Sequence, residues 1–265
     1  MSERSSSVQR AEALERVARG WDAAAEGYDG YFVPRFAPWV ALAVDGVGEV
    51  PGGPILVPCC GTFPELKLLL ERFPGREIAG IDLSAGMVRI ARERAARSPM
   101  VEVIQGDAST LDPRWTAGCA GVVSVFGLQQ LPEPEDAVQS WFGALRPGGR
   151  LSVVYWPAVT EEDGPFALLS RLLPGRSVPD WEAGLVPRLS ALGATIERDE
   201  QAAFPMSHAD AAGFFDAFAQ SGPLRAAAIA RGDEFIADLR MRFLQQAPGG
   251  EWTHHPRARL IVARR

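Results

Sequence analysis

The sequence predicts an α/β fold: a parallel sheet covered by helices on both faces, with a helical segment before it and a helical cap near its end. Three observations carry this. Between residues 54 and 156, short apolar runs alternate with stretches of helical period, as buried parallel strands joined by helices do. Residues 9–48 have helical spacing and many aromatics. Residues 207–246 form a mostly helical block before the last strand, long for a connection.

Each element has a local reason. Residues 1–8 are polar and Ser-rich and are expected to be a disordered tail. Val8, Ala11, Leu14, Val17 and Ala18 have the helical period up to about Trp21. A second aromatic helical stretch carries Tyr28, Tyr31, Phe32, Phe36 and Trp39, and Pro34 and Pro38 are expected to break it. Strands are predicted at 55–57, 77–81, 101–104, 121–126 and 151–156. Helices are predicted at 64–73, from the N-cap Ser84 through Arg97, and at 134–145, where Pro147-Gly148-Gly149 is a stop signal. Beyond Trp156 the alternation fails. Short helices are expected at 166–172 and 181–192, a strand at 194–202, Ser207 as N-cap of the helical block, and a last strand at 258–263. The predicted organisation is a lid over 9–48 and a main domain over 49–265, with 157–192 and 207–250 as cap-forming insertions.

Composition narrows the class. The 265 residues are 47% hydrophobic and 23% charged, near the globular average, and 27 Gly with 21 Pro stay short of a disordered composition. The net charge of −6 and the lack of a basic run argue against a nucleic-acid partner. Three cysteines, Cys59, Cys60 and Cys119, make no disulfide framework, and no C-x-x-C pair points to a metal. Cys59 and Cys60 read most simply as small buried hydrophobes. Met1 to Arg10 lacks an apolar signal stretch, and no run reaches the roughly 18 apolar residues of a membrane span. A cytoplasmic protein without membrane contact is expected, either monomer or homodimer.

The chemistry is expected at the carboxyl ends of the strands, where open α/β sheets bind ligands. Four strand ends stand out. The turn Pro58-Cys59-Cys60-Gly61-Thr62 after the first strand has the small residues that close backbone approach needs. Asp82 ends the second strand, 21 residues after Gly61, a spacing that suits ribose hydroxyls. Asp107 ends the third strand, where an adenine amino group would find it. The fourth strand ends at Phe126 and leads into Gln129-Gln130. The lack of G-x-G-x-x-G after the first strand argues against a nicotinamide oxidoreductase.

Together, residues 55–63, 80–87, 106–108, 128–132 and 145–151 resemble the motifs of class I S-adenosylmethionine-dependent methyltransferases, in the small-molecule branch similar to the ubiquinone/menaquinone methyltransferase group. The resemblance implies a Rossmann-like seven-stranded sheet of order 3-2-1-4-5-7-6 with strand 7 antiparallel. It implies S-adenosylmethionine as cofactor and S-adenosylhomocysteine as product. Cys59 and Gly61 would line the methionine part, and Asp82 would hold the ribose. Leu83 and Met87 would pack on the adenine or ribose, Asp107 and Ala108 would meet the adenine, and Phe126 would sit beside the sulfonium; Pro58, Thr62 and Gly106 would belong to the same cofactor site. The sequence departs from the pattern at Val57, where the family has an acid, and at Cys59 and Phe63, where it has glycines. Gln129-Gln130 stands where many members carry His-His.

The expected reaction is methyl transfer to an O, N or C nucleophile of a small aromatic or apolar acceptor, by analogy in bacterial specialised metabolism. A non-methylation reaction such as cyclisation on the same fold is the alternative, and a non-catalytic binding module is a third. Tyr28, Phe32, Phe36, Gln129 and Trp156 are the candidate acceptor walls, although packing of a leading helix onto the core is the simpler reading of the aromatics from Tyr28 to Trp39. His208, at the start of the cap, is the candidate general base, with His254 and His255 the remaining histidines.

Overall fold

The apolar run at Ile55 forms strand β1 (Ile55–Pro58), buried at all four positions. The computed structural model describes residues 2–173 and 181–265. Residues 174–180, part of the expected 157–192 insertion, lie outside the described residues. Helix α1 (Ser2–Val47) precedes β1. After β1 come α2 (Leu66–Arg72), β2 (Ile78–Asp82), α3 (Ala85–Ala95), β3 (Val101–Gln105), β4 (Cys119–Val125), α4 (Pro134–Ala144) and β5 (Leu145–Tyr155). The rest comprises α5 (Pro165–Leu172), α6 (Trp181–Ala191), β6 (Thr195–Ala203), β7 (Met206–His208), α7 (Ala211–Ala219), α8 (Gly222–Arg231), α9 (Asp233–Gln246), β8 (Trp252–His254) and β9 (Arg257–Arg264).

Seven strands form one sheet in the order β3-β2-β1-β4-β5-β9-β6. Strands β1 to β5 pair in parallel, and β9 runs antiparallel to both β5 and β6. This is the expected order, because β7 and β8 pair with each other in a separate two-stranded antiparallel sheet and leave β9 as the seventh strand of the main sheet. Strand order reverses at β1 and β4, so the loops after these strands diverge and leave a crevice at their carboxyl ends.

Side chains alternate across the strands, so one strand feeds two cores. Val57 joins Phe36, Trp39 and Val44 of α1 and Phe214 of α7 on one side of the sheet. Leu56 joins Trp141 and Phe142 of α4 and Leu185 and Leu189 of α6 on the other. Both faces are thereby covered, which is why β1 and β4 read as continuous apolar runs.

Four expectations are corrected. Pro34 and Pro38 do not break the leading segment, because α1 is one helix of 46 residues with both prolines inside it. Phe32, Phe36, Trp39, Val40, Ala43, Val44 and Val47 are all buried at helical spacing, and this face outweighs the local cost of the prolines. Residues 2–8 are helical backbone rather than a disordered tail, since extending an existing helix needs no new nucleus. Ser207 is not an N-cap but the middle residue of β7, its Oγ 2.7 Å from Thr253 Oγ1 on β8. The cap of α7 is Asp210, whose Oδ1 accepts from the Gly213 amide at 2.6 Å. Finally, β5 begins at Leu145, not Leu151, because the chain at 145–149 stays extended beside β4, with a register shift between Cys119 and Gly121.

Candidate active site

The turn after β1 sets the floor of the cleft. Cys59, Gly61 and Phe63 all have left-handed backbone, with φ of 56°, 53° and 66°. A non-glycine residue there costs roughly 1–2 kcal/mol, and this turn has one glycine where the family it resembles has three. Compensation comes from glycines elsewhere. Phe63 is fully buried and turns its ring under β2, against Gly80, where a Cβ would stand 2.7 Å from the ring. Cys59 lies against Gly127, where any Cβ would collide with it. Phe63 therefore belongs to the core and lies outside the cleft lining. Burial pushes the Cys59 and Cys60 thiols well above their usual range, so neither is a thiolate nucleophile.

Asp82 ends β2 with both carboxylate oxygens held by backbone. Gly61 N–H donates to Oδ2 at 2.8 Å and Ser84 N–H to Oδ1 at 2.9 Å. Burial raises its pKa, against the lowering effect of these amides. Ser84 caps α3 as expected: its Oγ accepts from the Met87 amide at 3.1 Å. The same hydroxyl donates to Asp22 of α1 at 2.7 Å, and Asp22 Oδ1 also accepts from the Gly86 amide at 3.0 Å. Gly86 is small for a reason, since a Cβ there would stand 2.7 Å from the Asp22 carbonyl oxygen.

The loop after β3 is fixed similarly. Asp107 Oδ1 accepts from the Ser109 amide at 2.8 Å, and Trp141 Nε1 donates to the Ala108 carbonyl at 2.7 Å. Gly106 N–H donates to the Asp82 carbonyl at 2.9 Å, tying this loop to the end of β2. After β4, Phe126 takes a φ of 57° and stacks on Trp156, with centroids 4.1 Å apart.

Helix α1 roofs the cleft with Leu14, Val17, Ala18, Trp21 and Tyr28. It is fastened by Asp29, which accepts from Arg94 of α3 at 2.6 and 2.8 Å and from the Thr62 hydroxyl. Arg94 also donates to the Thr62 carbonyl at 2.6 Å.

The structure gathers Cys59, Gly61, Thr62, Asp82, Leu83, Met87, Asp107, Ala108, Phe126 and Tyr28 around this cleft. Other candidates lie off it. Pro58 and Gly106 stand behind the lining, the Pro58 carbonyl accepting from Ser124 Oγ at 3.0 Å. Phe32 and Phe36 are core residues between α1 and the cap, and Trp156 meets the cleft only through Phe126. Gln129 turns inward to donate to the Phe126 carbonyl at 2.7 Å, so Gln130 is the glutamine that faces the cleft.

His208 is also displaced, being on β7 rather than at a helix start. It is buried in a relay: Tyr31 Oη lies 2.9 Å from His208 Nδ1, and His208 Nε2 lies 3.0 Å from His254 Nε2. His254 Nδ1 lies 2.6 Å from Glu161 Oε2. Burial, then His254 and Arg35, push the His208 pKa down to about 3. The relay ties α1 to the cap and does not line the cleft.

Sequence reasoning missed Glu65, Trp21 and Asp22. Glu65 follows Pro64 at the start of α2 and reads as a surface helix residue, yet it is 1% exposed and lines the cleft. Its pKa is pushed up to about 8, chiefly by burial, with Asp82 adding to the shift and Arg94 opposing it. Among the described lining residues the ionisable acids are Glu65, Asp82 and Asp107, and no Lys, Arg or His is present. The cleft thus offers carboxyl groups between apolar walls and, among the described residues, no basic side chain.

A sheet of this order, with carboxylates on the loops after β2 and β3, defines the fold of class I S-adenosylmethionine-dependent methyltransferases. In the central part of this chain, residues 55–149 match the family described as "Methyltransferase domain". The chain is 34% identical over 118 residues to 2-phytyl-1,4-naphtoquinone methyltransferase of Thermosynechococcus vestitus, covering 44% of this chain and 52% of that relative. It is 34% identical over 142 residues to demethylmenaquinone methyltransferase of Thermus thermophilus, covering 53% of this chain and 63% of that relative. Among solved structures, the [4+2]-cyclase SpnF has the same fold, with a TM-score of 0.55 at 20% identity over 86% of this chain and 80% of that one.

Proposed function

We propose that this protein transfers the methyl group of S-adenosylmethionine to an O, N or C nucleophile of a small aromatic or apolar acceptor of quinone-like shape. One observation carries the reading: a cleft at the switch point lined by Glu65, Asp82 and Asp107, by Trp21, Tyr28 and Phe126, and by no basic side chain among the described residues. These acceptors and aromatic rings suit a cofactor with ribose hydroxyls, an adenine amino group and a sulfonium charge. The quinone methyltransferases among its relatives motivate the quinone-like shape.

Asp82 would hold the ribose, Asp107 and Ala108 the adenine, and Cys59, Gly61 and Thr62 the methionine part. When bound, the cofactor supplies an electrophilic methyl group and a neutral thioether leaving group. The chain's own residues do three things. Trp21, Tyr28 and Phe126 line the cleft, and aromatic rings there would attract a cationic ligand through the ring quadrupole. Leu14, Val17 and Leu131 exclude water, which strengthens the electrostatics inside. The rigid loops after β1 and β4 fix the acceptor's approach, the role of proximity and alignment in displacement chemistry. Among the described residues no histidine lines the cleft, so His208 is not retained as the base, and an acceptor that is already nucleophilic suits the site.

The test is incubation with methyl-labelled S-adenosylmethionine and a panel of reduced quinones and phenols. Label in an acceptor, with stoichiometric S-adenosylhomocysteine, supports the reading. The second reading, cyclisation on this fold, is favoured by the altered turn at Val57, Cys59 and Phe63. It would show as a rearranged product with no S-adenosylhomocysteine formed.

A further inference from the structure

We propose that Glu65 is the counter-charge for the α-ammonium group of the cofactor's amino-acid end. The inference rests on the cofactor reading above and goes beyond it by naming a residue outside the motifs the sequence resembles. Three observations support it.

The first is an orphaned oxygen. Glu65 is 1% exposed, lines the cleft, and its Oε2 is buried without a hydrogen-bond partner. A buried carboxylate oxygen without a donor is costly, and such groups usually find one. The second is that the nearby cation is committed elsewhere. Arg94 gives one guanidinium nitrogen to both oxygens of Asp29 and another to the Thr62 carbonyl and hydroxyl. The third is order along the sheet. The strands run β3-β2-β1, so the Asp107, Asp82 and Glu65 loops follow one another in space. A ligand with its adenine at Asp107 and its ribose at Asp82 reaches the turn after β1 with its remaining end, and Glu65 closes that turn. Val57 is buried and apolar at the position where the family it resembles has an acid, so Glu65 supplies a carboxylate to this region from the start of α2.

The groups facing Glu65 are Arg94 from α3, Asp82 from β2, Tyr28 from α1 and Cys60 from its own turn. In the free protein the Glu65 carboxyl is pushed up to about 8, so it is mostly protonated at pH 7. An arriving ammonium ion favours the carboxylate, and Glu65 releases its proton to the buffer as the ion pair forms.

Calorimetric titration at pH 7, in buffers of different ionisation enthalpy, tests this with two probes. S-adenosylhomocysteine carries the ammonium group, and 5′-methylthioadenosine lacks the amino-acid end. In the wild type, the first is expected to release most of one proton and the second none. Glu65→Gln, whose fold is checked by thermal unfolding, is expected to bind S-adenosylhomocysteine at least tenfold more weakly, to release no proton, and to bind methylthioadenosine as before. Equal weakening of both probes, or of neither, would overturn the inference, as would wild-type binding of S-adenosylhomocysteine without proton release. A wild type that binds neither probe would overturn the cofactor reading itself, a distinct failure.

Discussion

Cys59 and Phe63 hold left-handed backbone where glycine would be unstrained, and each does so against a glycine on another segment. The Cys59–Gly127 contact makes this measurable. Gly127 has φ of −90°, so alanine fits its backbone and the main obstacle is the collision with Cys59, with Ser124 Oγ a lesser one at 3.3 Å. Gly127→Ala is expected to cost about 1–3 kcal/mol in urea unfolding. Cys59→Gly should recover much of that, giving a double-mutant coupling near 1 kcal/mol or more. Glu65 gives a second residue-level expectation. Its carboxyl ionises near 4.5 in the unfolded chain and near 8 in the folded one. The folded state therefore holds the extra proton between these values, and stability falls as pH rises from about 4.5 to 8. Glu65→Gln should flatten that slope in the free protein and raise stability at pH 8 by on the order of a few kcal/mol. These residues also show where sequence reading stops. Asp82 and Asp107 are legible because they end strands. Glu65 is not, since a glutamate after Pro64 looks like any helix-start acid until the fold buries it. Gln129 and Gln130 are adjacent, and only the bend after Phe126 decides which one faces the cleft.

At the scale of elements, α1 joins lid to site. Asp22 accepts from Ser84 and Gly86 at the start of α3, so it caps one helix from another. Asp22→Ala is expected to cost about 1–2 kcal/mol of stability and to weaken cofactor binding as Trp21 loosens over the cleft, both readable by thermal shift with and without S-adenosylhomocysteine. The two-stranded sheet β7–β8 holds the cap to α1 through the His208 relay. His208 titrates near 6.5 unfolded and near 3 folded. The unfolded chain therefore takes up the proton first, and the stability present above 6.5 is lost as pH falls toward 3. His208→Gln should reduce the acid dependence of the melting temperature while leaving affinity for the cofactor in place. The parallel strands were readable from continuous apolar runs and the α3 cap from Ser84. The β7–β8 pair was not, because three helices separate its two three-residue strands, Ser207 lying opposite Thr253 46 residues on, and the strands carry no local signal. The continuity of α1 was hidden by Pro34 and Pro38, whose local cost is outweighed by a buried face that only tertiary packing creates.

For the whole molecule, the cleft gathers carboxylates and aromatics from α1 and from the loops after β1, β2, β3 and β4, so one ligand can hold together loops that are far apart in sequence. The acceptor wall has a weaker sequence signal, because Phe32, Phe36 and Trp156 are as apolar as cleft residues yet serve the core. Among the described residues no helix is long and apolar enough to cross a membrane. The central claim is that this cleft binds S-adenosylmethionine through Asp82, and calorimetric titration of wild type and Asp82→Ala tests it most directly. The expected result is binding at about micromolar affinity, near −8 kcal/mol, weakened at least tenfold in a variant that thermal unfolding shows to be folded. Absence of binding by the wild type, or equal affinity in the folded variant, would contradict the claim.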